Sequence, residues 1–331
     1  MIARRKIVIA LGAGALAPFA SLAPLAGFAQ QQGKVWRVGL LISGSESGTA
    51  SRIEALRGGL RELGYIEGKN IVFEFRFSDG KNERLAELAL ELVRLKVDAI
   101  VTHTTGGVQG AKEATATIPI IIAATGDAVA EGAVASLARP GGNVTGSTIL
   151  LPELMAKRIE LLKEAAPRIS RVGALLRPSA STPSIVRAME LTARQQKIEM
   201  QKFEVIGPQD FKNIFSAILK KRIDALVVND DPVLFANAQA IVYFAATHRI
   251  PLAGGTGFAE AGGLIVYGTN ILDLFRRAAY FIDKILKGTK PADIPVEQPT
   301  RFEFVLNMKT AKTLGLKIPN SILVQATKII E

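Results

Sequence analysis

Arg37-Val38-Gly39-Leu40-Leu41-Ile42 returns 134 positions later as Arg171-Val172-Gly173-Ala174-Leu175-Leu176, and a Ser-rich loop and a helical stretch follow each copy. Two further runs recur in the same order. Val97-Asp98-Ala99-Ile100-Val101 comes back as Ile223-Asp224-Ala225-Leu226-Val227, an offset of 126. Thr115-Ala116-Thr117-Ile118-Pro119 comes back as Ala246-Thr247-His248-Arg249-Ile250-Pro251, with the prolines 132 apart. Any two α/β domains share some pattern, but three matches in one order point to two similar lobes in tandem. Within each lobe short β-branched runs alternate with amphipathic stretches, which is the pattern of a parallel sheet covered by helices. In the first copy the spacing predicts strands over 35–42, 70–77, 97–103 and 119–124, with helices over 51–63, 82–95 and 107–115. The fold class is therefore α/β, with two doubly wound parallel sheets.

Length and composition agree. The chain has 331 residues, 48% hydrophobic and 21% charged, enough for two domains with real cores. It has no cysteine. That excludes disulfides, a thiolate nucleophile, zinc–thiolate and iron–sulfur sites, and a lipidated N-terminal cysteine. His103 and His248 are the only histidines, so a multi-histidine metal site is excluded as well.

Arg4, Arg5 and Lys6 precede a stretch without charge that runs to Gly33. A basic head, an apolar run and the small residues Gly27 and Ala29 read as a signal peptide over residues 1–29, cut after Ala29. An uncleaved anchor is the alternative, since about 20 apolar residues can span a bilayer. Ala, Gly and Pro make this run a poor anchor. Arg4-Arg5 leaves general secretion and twin-arginine export both open. The expected location is the periplasm or the exterior, with no stable membrane insertion after cleavage.

The formal charge of +11 falls to +8 without Arg4, Arg5 and Lys6. The remainder is dispersed in clusters such as Lys220-Lys221-Arg222, and aromatics are 6% of the chain with no basic–aromatic interleaving. A nucleic-acid partner is not expected.

In doubly wound sheets ligands bind beyond the carboxyl ends of the strands, at a topological switch point. The loops at those ends are small and polar: residues 43–47, 102–105 and 124–127 in the first lobe, and 177–182, 229–231 and 254–257 in the second. Hydroxyls and helix N-termini suit a carboxylate, while carboxylates suit an ammonium or sugar hydroxyls. The expected ligand is small and polar. His103 ends a strand there, as a ligand contact or as a satisfied rim histidine. Asp127 is a contact or a loop brace. Of Asp230 and Asp231, followed by Pro232, one caps a helix and one faces the cleft. His248 reads as structural. Asn143-Val144-Thr145 matches a glycosylation sequon by chance.

No catalytic constellation emerges. Gly44 to Gly48 encloses Ser-Glu-Ser, which breaks the nucleophile-elbow pattern at its centre. There is no phosphate loop, and Gly12-Ala13-Gly14 lies in the signal segment. Neither an enzyme, a cofactor nor a metal is expected.

Two stretches carry a resemblance. One is Leu137-Ala138-Arg139-Pro140-Gly141-Gly142-Asn143-Val144-Thr145-Gly146. The other is C-terminal: Phe275-Arg276-Arg277-Ala278-Ala279, Ile285-Leu286-Lys287-Gly288, the run 290–300 and Lys309-Thr310-Ala311-Lys312. They resemble the ABC transporter substrate-binding protein family, with a class I periplasmic-binding-protein fold and relatives that bind tryptophan and other aromatic amino acids. The resemblance covers the mature chain and implies three crossovers, near 142–148, 264–270 and 301–307. Lobe 1 would comprise 33–147 plus 270–300, and lobe 2 would comprise 148–269 plus 301–331. A helix over 272–286 would return to lobe 1. Carried over, the ligand contacts fall on Ser45, Thr104, Thr105 and Thr125 in lobe 1, and on Ser181, Asn229, Asp230 and Thr256 in lobe 2. The family usually has Asp-Pro where this chain has Asp127-Ala128, so this loop is less restricted.

The implied function is capture of an amino acid or related carboxylate between the lobes and its delivery to an ABC permease, by a monomer. A secreted α/β enzyme and a ligand-sensing lobe for a receptor are the alternatives. Replacing Thr125 or Asp230 is expected to weaken binding and leave melting of the ligand-free protein nearly unchanged.

Overall fold

Each copy of the repeated run becomes an inner strand of its own sheet. In the computed structural model, which describes residues 34–331, the first copy is β1 (Trp36–Ile42), whose last five residues are buried. It is followed by α1 (Glu46–Glu62), β2 (Ile71–Phe77), α2 (Leu85–Arg94), β3 (Ala99–His103), α3 (Thr104–Ala114), β4 (Ile120–Thr125) and β5 (Val144–Thr148). The sheet order is β2-β1-β3-β4-β5, all parallel. The signal peptide expected over residues 1–29 lies outside the described residues.

The second lobe repeats this arrangement. It comprises α4 (Leu151–Ala165), β6 (Arg171–Leu176), α5 (Thr182–Gln195), β7 (Glu199–Glu204), α6 (Phe211–Lys220), β8 (Ala225–Val228), α7 (Pro232–Ala236), α8 (Ala238–Thr247), β9 (Leu252–Gly254) and β10 (Ile265–Gly268). After α9 (Ile271–Leu286), the chain adds β11 (Glu303–Asn307), α10 (Met308–Thr313), α11 (Asn320–Gln325) and β12 (Lys328–Ile330). The second sheet runs β7-β6-β8-β9-β10-β11-β12, so its first five strands copy the first sheet's order.

The registers repeat too. Val38 faces Ala99 and Gly39 faces Ile100, while Val172 faces Ala225 and Gly173 faces Leu226. The repeated Arg–Asp pair has a backbone purpose. Asp98 Oδ2 accepts the Arg37 N–H at 2.8 Å and Asp224 Oδ1 accepts the Arg171 N–H at 2.8 Å. Each carboxylate satisfies a main-chain donor at the start of an inner strand.

The second sheet departs from the parallel expectation at one place: β11 is antiparallel to β10. No local βαβ unit joins these strands. The chain first leaves for the other lobe, where α9 packs Phe275, Ala278, Phe281 and Ile282 among Val38, Leu40 and Leu56. The right-handed crossover rule for parallel neighbours therefore does not govern the return.

The chain passes between the sheets at Ile149 and Leu150, at Thr269 and Asn270, and between β5's flanking segment and β11. Leu150 is left-handed, with φ 57°. Asn270 Oδ1 accepts from Leu272 N and Asp273 N to cap α9, and its Nδ2 donates to Glu303 Oε1 at 2.8 Å, which ties two passages together.

Both familiar motifs now have a physical reading. Asn143 Nδ2 donates to the Thr115 and Ile118 carbonyls and pins the loop before β4. The later run lies along β5. Thr145 Oγ1 donates to Ile294 O, Glu297 N donates to Gly146 O, and Thr148 N donates to Glu297 O. That covers an otherwise open sheet edge.

Candidate functional site

In both sheets the strand order reverses at one place, between β1 and β3 and between β6 and β8. At the carboxyl ends of these four strands stand Ser43, His103, Arg177 and Asn229. All four line one cleft of about 840 Å³, its open mouth included.

Of the residues singled out from sequence, the structure brings His103, Thr104, Thr105, Thr125, Ser181, Asn229 and Asp230 to the walls of this cleft. Ser45, Asp127 and Thr256 are not among its walls. Ser45 is the N-cap of α1 and accepts from Gly48 N at 3.2 Å, which is also why α1 begins five residues before the predicted start. Asp127 is a brace: its Oδ1 accepts from Val129 N and Ala130 N. Thr256 opens a short 3-10 turn and is half-buried beside the site.

The threonine hydroxyls have a partner that no motif or spacing in the sequence announces. Thr105 Oγ1 donates to Glu131 Oε1 at 2.8 Å, Thr125 Oγ1 donates to Glu131 Oε2, and Asp127 N donates to Glu131 Oε1 at 2.9 Å. Burial pushes the Glu131 carboxyl above its usual range, while these donors pull it back. Two of the expected ligand-binding hydroxyls thus organise the loop around a half-buried acid.

The adjacent aspartates divide as expected in one respect. Asp231 caps α7 by accepting from Val233 N at 2.8 Å. Burial raises its pKa, and Arg177, 3.7 Å away, opposes that. Asp230 does reach the cleft, but its carboxylate is held from behind. Arg158 Nη2 donates to both of its oxygens, at 2.9 and 2.8 Å. The Arg158 side chain is 0% exposed, and its other donors reach Tyr267 O and Val228 O, so this is a fully satisfied buried pair. The sequence does hold a cue for Arg158. It falls on the apolar stripe of α4 with Leu151, Leu154, Met155, Ile159 and Leu162, where a solvated arginine does not belong.

Thr104, the first residue of α3, has φ 64°, an unusual conformation for a β-branched residue. Its Oγ1 lies 2.7 Å from Ser43 Oγ, which joins the two switch-point strands. His103 is 3% exposed, and burial with the nearby Arg52 charge pushes its pKa down to about 3. Its Nε2 accepts from Ser43 N at 3.3 Å, so the neutral ring carries its proton on Nδ1.

The folded protein resists protonating His103, whereas the unfolded chain does so near pH 6.5. Stability from this group is therefore present above pH 6.5 and is lost as the pH falls towards 3, by about 1.4 kcal/mol per unit. At pH 4.5 the expected loss is about 3 kcal/mol. Raised carboxyls such as Glu131 act with the opposite sign, so the check is a difference. Chemical unfolding of the wild type and of His103→Gln between pH 7 and 4.5 should diverge by that amount, the variant falling less.

Ala128 stands where the resemblance implies a proline. Its N–H donates to Thr148 Oγ1 at 3.2 Å, a bond that proline could not make, so the loop is tied to β5 and is not loose.

The remaining walls include apolar and basic side chains that carried no signal in the sequence. Phe275 of α9, Phe235 of α7, Ile271 and Ile149 supply an apolar side. Arg52 of α1 reaches the cleft from the same helix stripe as Thr49, Ile53 and Leu56. The lobes also touch. Arg177 Nη2 donates to Gly80 O at 2.8 Å, and Thr105 Oγ1 lies 3.4 Å from Ser181 Oγ. Among the described residues no acidic, histidine or cysteine cluster could hold a metal ion, and no helix is long and apolar enough to cross a membrane.

A family model described as ABC transporter substrate binding protein matches residues 38–330. A tyrosine-binding protein of Clostridioides difficile is 28% identical over 260 residues, 78% of this chain and 74% of that protein. Among solved structures, an ABC domain from Streptococcus pneumoniae in complex with L-Trp is 28% identical, with a TM-score of 0.82, and the match covers 89% of this chain and 99% of that one. A ligand-free, open substrate binding protein from Clostridium difficile is 25% identical, with a TM-score of 0.65 over 89% of this chain and 99% of that one.

Proposed function

The chain belongs to the ABC transporter substrate-binding protein family, and on that premise we propose that it captures a carboxylate-bearing solute, an amino acid or a related carboxylate, and delivers it to an ABC permease from outside the cytoplasm. One observation carries the reading: the switch-point ends of both sheets line a single cleft, so a ligand held there touches both lobes at once.

Capture is then a population shift. The ligand favours the closed arrangement because only there do both lobes contact it. The Arg177–Gly80 and Thr105–Ser181 contacts belong to that arrangement. The likeness to solved structures supports it, since the TM-score is 0.82 to the L-Trp complex against 0.65 to the open, ligand-free protein. Family membership also separates this reading from that of a secreted enzyme, since the family is one of binding proteins.

The test has two parts. Native mass spectrometry of the purified protein should show a co-purified small molecule, and calorimetry with amino acids and related carboxylates should identify its class. Solution scattering should then show a smaller radius of gyration with saturating ligand. An unchanged radius on saturation would contradict capture by closure.

A further inference from the structure

We infer that the cleft selects a monoanion, a carboxylate on an aromatic or other apolar body without an ammonium group, and that Arg52 is the residue that selects it. The inference rests on the reading of the cleft as a carboxylate site and narrows that class.

Five ionisable side chains line the cleft: Arg52, His103, Arg177, Asp230 and Asp231. Asp230 is matched by the buried Arg158 in a two-point bond. Asp231 faces Arg177 at 3.7 Å and also caps α7. His103 is neutral, because burial holds its pKa near 3. Arg52 is different. Among the described residues it makes no hydrogen bond, ion pair or ring contact. Burial lowers its pKa, as expected of a cation withdrawn from water without a counter-charge. Among the side chains that line the cleft, Arg52 is thus the one cation without a counter-charge; the Glu131 carboxylate lies behind the wall and is engaged by Thr105, Thr125 and Asp127 N.

An unpaired, half-buried charge such as that of Arg52 costs a folded protein stability, and a bound anion relieves that cost. A guanidinium meets a carboxylate in a planar, two-bonded fork, which a lone positive site beside apolar walls can offer. A zwitterion fares worse here. Its ammonium would add a second positive charge, and both carboxylates in the cleft already have cationic partners. The free acceptor on the second lobe is Asn229 Oδ1, buried and without a partner. A neutral amide oxygen suits a hydroxyl better than a desolvated ammonium. Phe275, Phe235, Ile271 and Ile149 set the body as apolar and accommodate a ring.

The test uses pairs that differ only by the α-ammonium: 3-(4-hydroxyphenyl)propanoate against L-tyrosine, and 3-(indol-3-yl)propanoate against L-tryptophan. Calorimetry on the purified protein should find each ammonium-free acid bound at least about tenfold tighter, the size expected for one poorly compensated buried charge. Arg52→Gln should weaken the acids by about 100-fold, as when one partner of a buried charge pair is removed. Arg52→Lys should keep the preference at lower affinity. Melting of the ligand-free Arg52→Gln protein should stay level or rise, because an unpaired charge has been removed. Amino acids bound as tightly as the acids would overturn the inference and leave the carboxylate reading standing. Binding of neither set would overturn both. A lower melting temperature with unchanged affinity would make Arg52 structural and overturn its role as selector.

Discussion

Asp230→Ala is expected to destabilise the ligand-free protein by about 3–5 kcal/mol, because it strands a buried guanidinium. From the sequence alone, Asp230 is expected to contact the ligand in the cleft, so that its loss affects binding and not melting. The structure reverses that expectation. Arg158 is 0% exposed and gives both Nη2 bonds to Asp230, while its other nitrogens are engaged by Tyr267 O and Val228 O. It therefore cannot turn to water when the carboxylate goes. The Arg158→Met/Asp230→Ala double variant should be more stable than Asp230→Ala alone, since no unpaired charge remains. Urea unfolding of the four proteins closes the cycle. Equal midpoints for the single and double variants would show that the pair does not control stability. The same bond also sets the cleft wall. A Cβ at Gly255 would lie 2.0 Å from Asp230 Oδ1, so the acid is confined from two sides.

Gly146→Ala should be comparably severe, at about 3 kcal/mol or more, from backbone strain plus overpacking. Gly146 has φ 132°, and a Cβ there would fall 2.1 Å from Ile122 O and 2.6 Å from Ile122 N. Those are main-chain atoms of β4, which cannot yield as a flexible side chain would. The three glycines of this motif should separate by cause. Gly142 has nothing within 4 Å and no positive φ, so alanine should be nearly neutral there. Gly141 has φ 80°, and a Cβ there would make only ordinary contacts, 3.7 Å from Ala135 Cβ and 3.8 Å from Arg139 O, so alanine should cost only about 1–2 kcal/mol of left-handed strain. Thermal or urea unfolding of the three alanine variants should rank 142, 141, 146 in rising loss. Equal losses would contradict the close approach of β5 to β4.

The series shows how differently the motif's residues were legible. Two of its glycines answer to backbone geometry that no spacing reveals. Asn143, whose match to a sequon is fortuitous, serves as a clamp on the loop before β4. The repeat, by contrast, was legible down to register, because the Val38–Ala99 and Val172–Ala225 pairings follow the repeated runs themselves. The loops of the cleft were also legible, since a parallel sheet places its ligand loops by topology. Their hydroxyls were less so. Thr105 and Thr125 turn to Glu131, an acid in an irregular loop with no periodicity to place it.

What the sequence by itself determined is the scaffold: two copies of one α/β pattern, their order, and the ends of strands that line the cleft. Hydrophobic periodicity and repeated backbone-satisfying residues are local properties, and they are written along the chain. What only the tertiary structure decided is which charges are free. Arg52, Arg158 and Arg177 all lie in helices or loops where arginine is ordinarily solvated, and Asp230 and Asp231 are neighbours of identical chemistry. Arg158 is 72 positions from the acid it neutralises, while Arg52 has no partner among the described residues. Electrostatic pairing depends on distance and burial in space, and these are known only once the two lobes are packed.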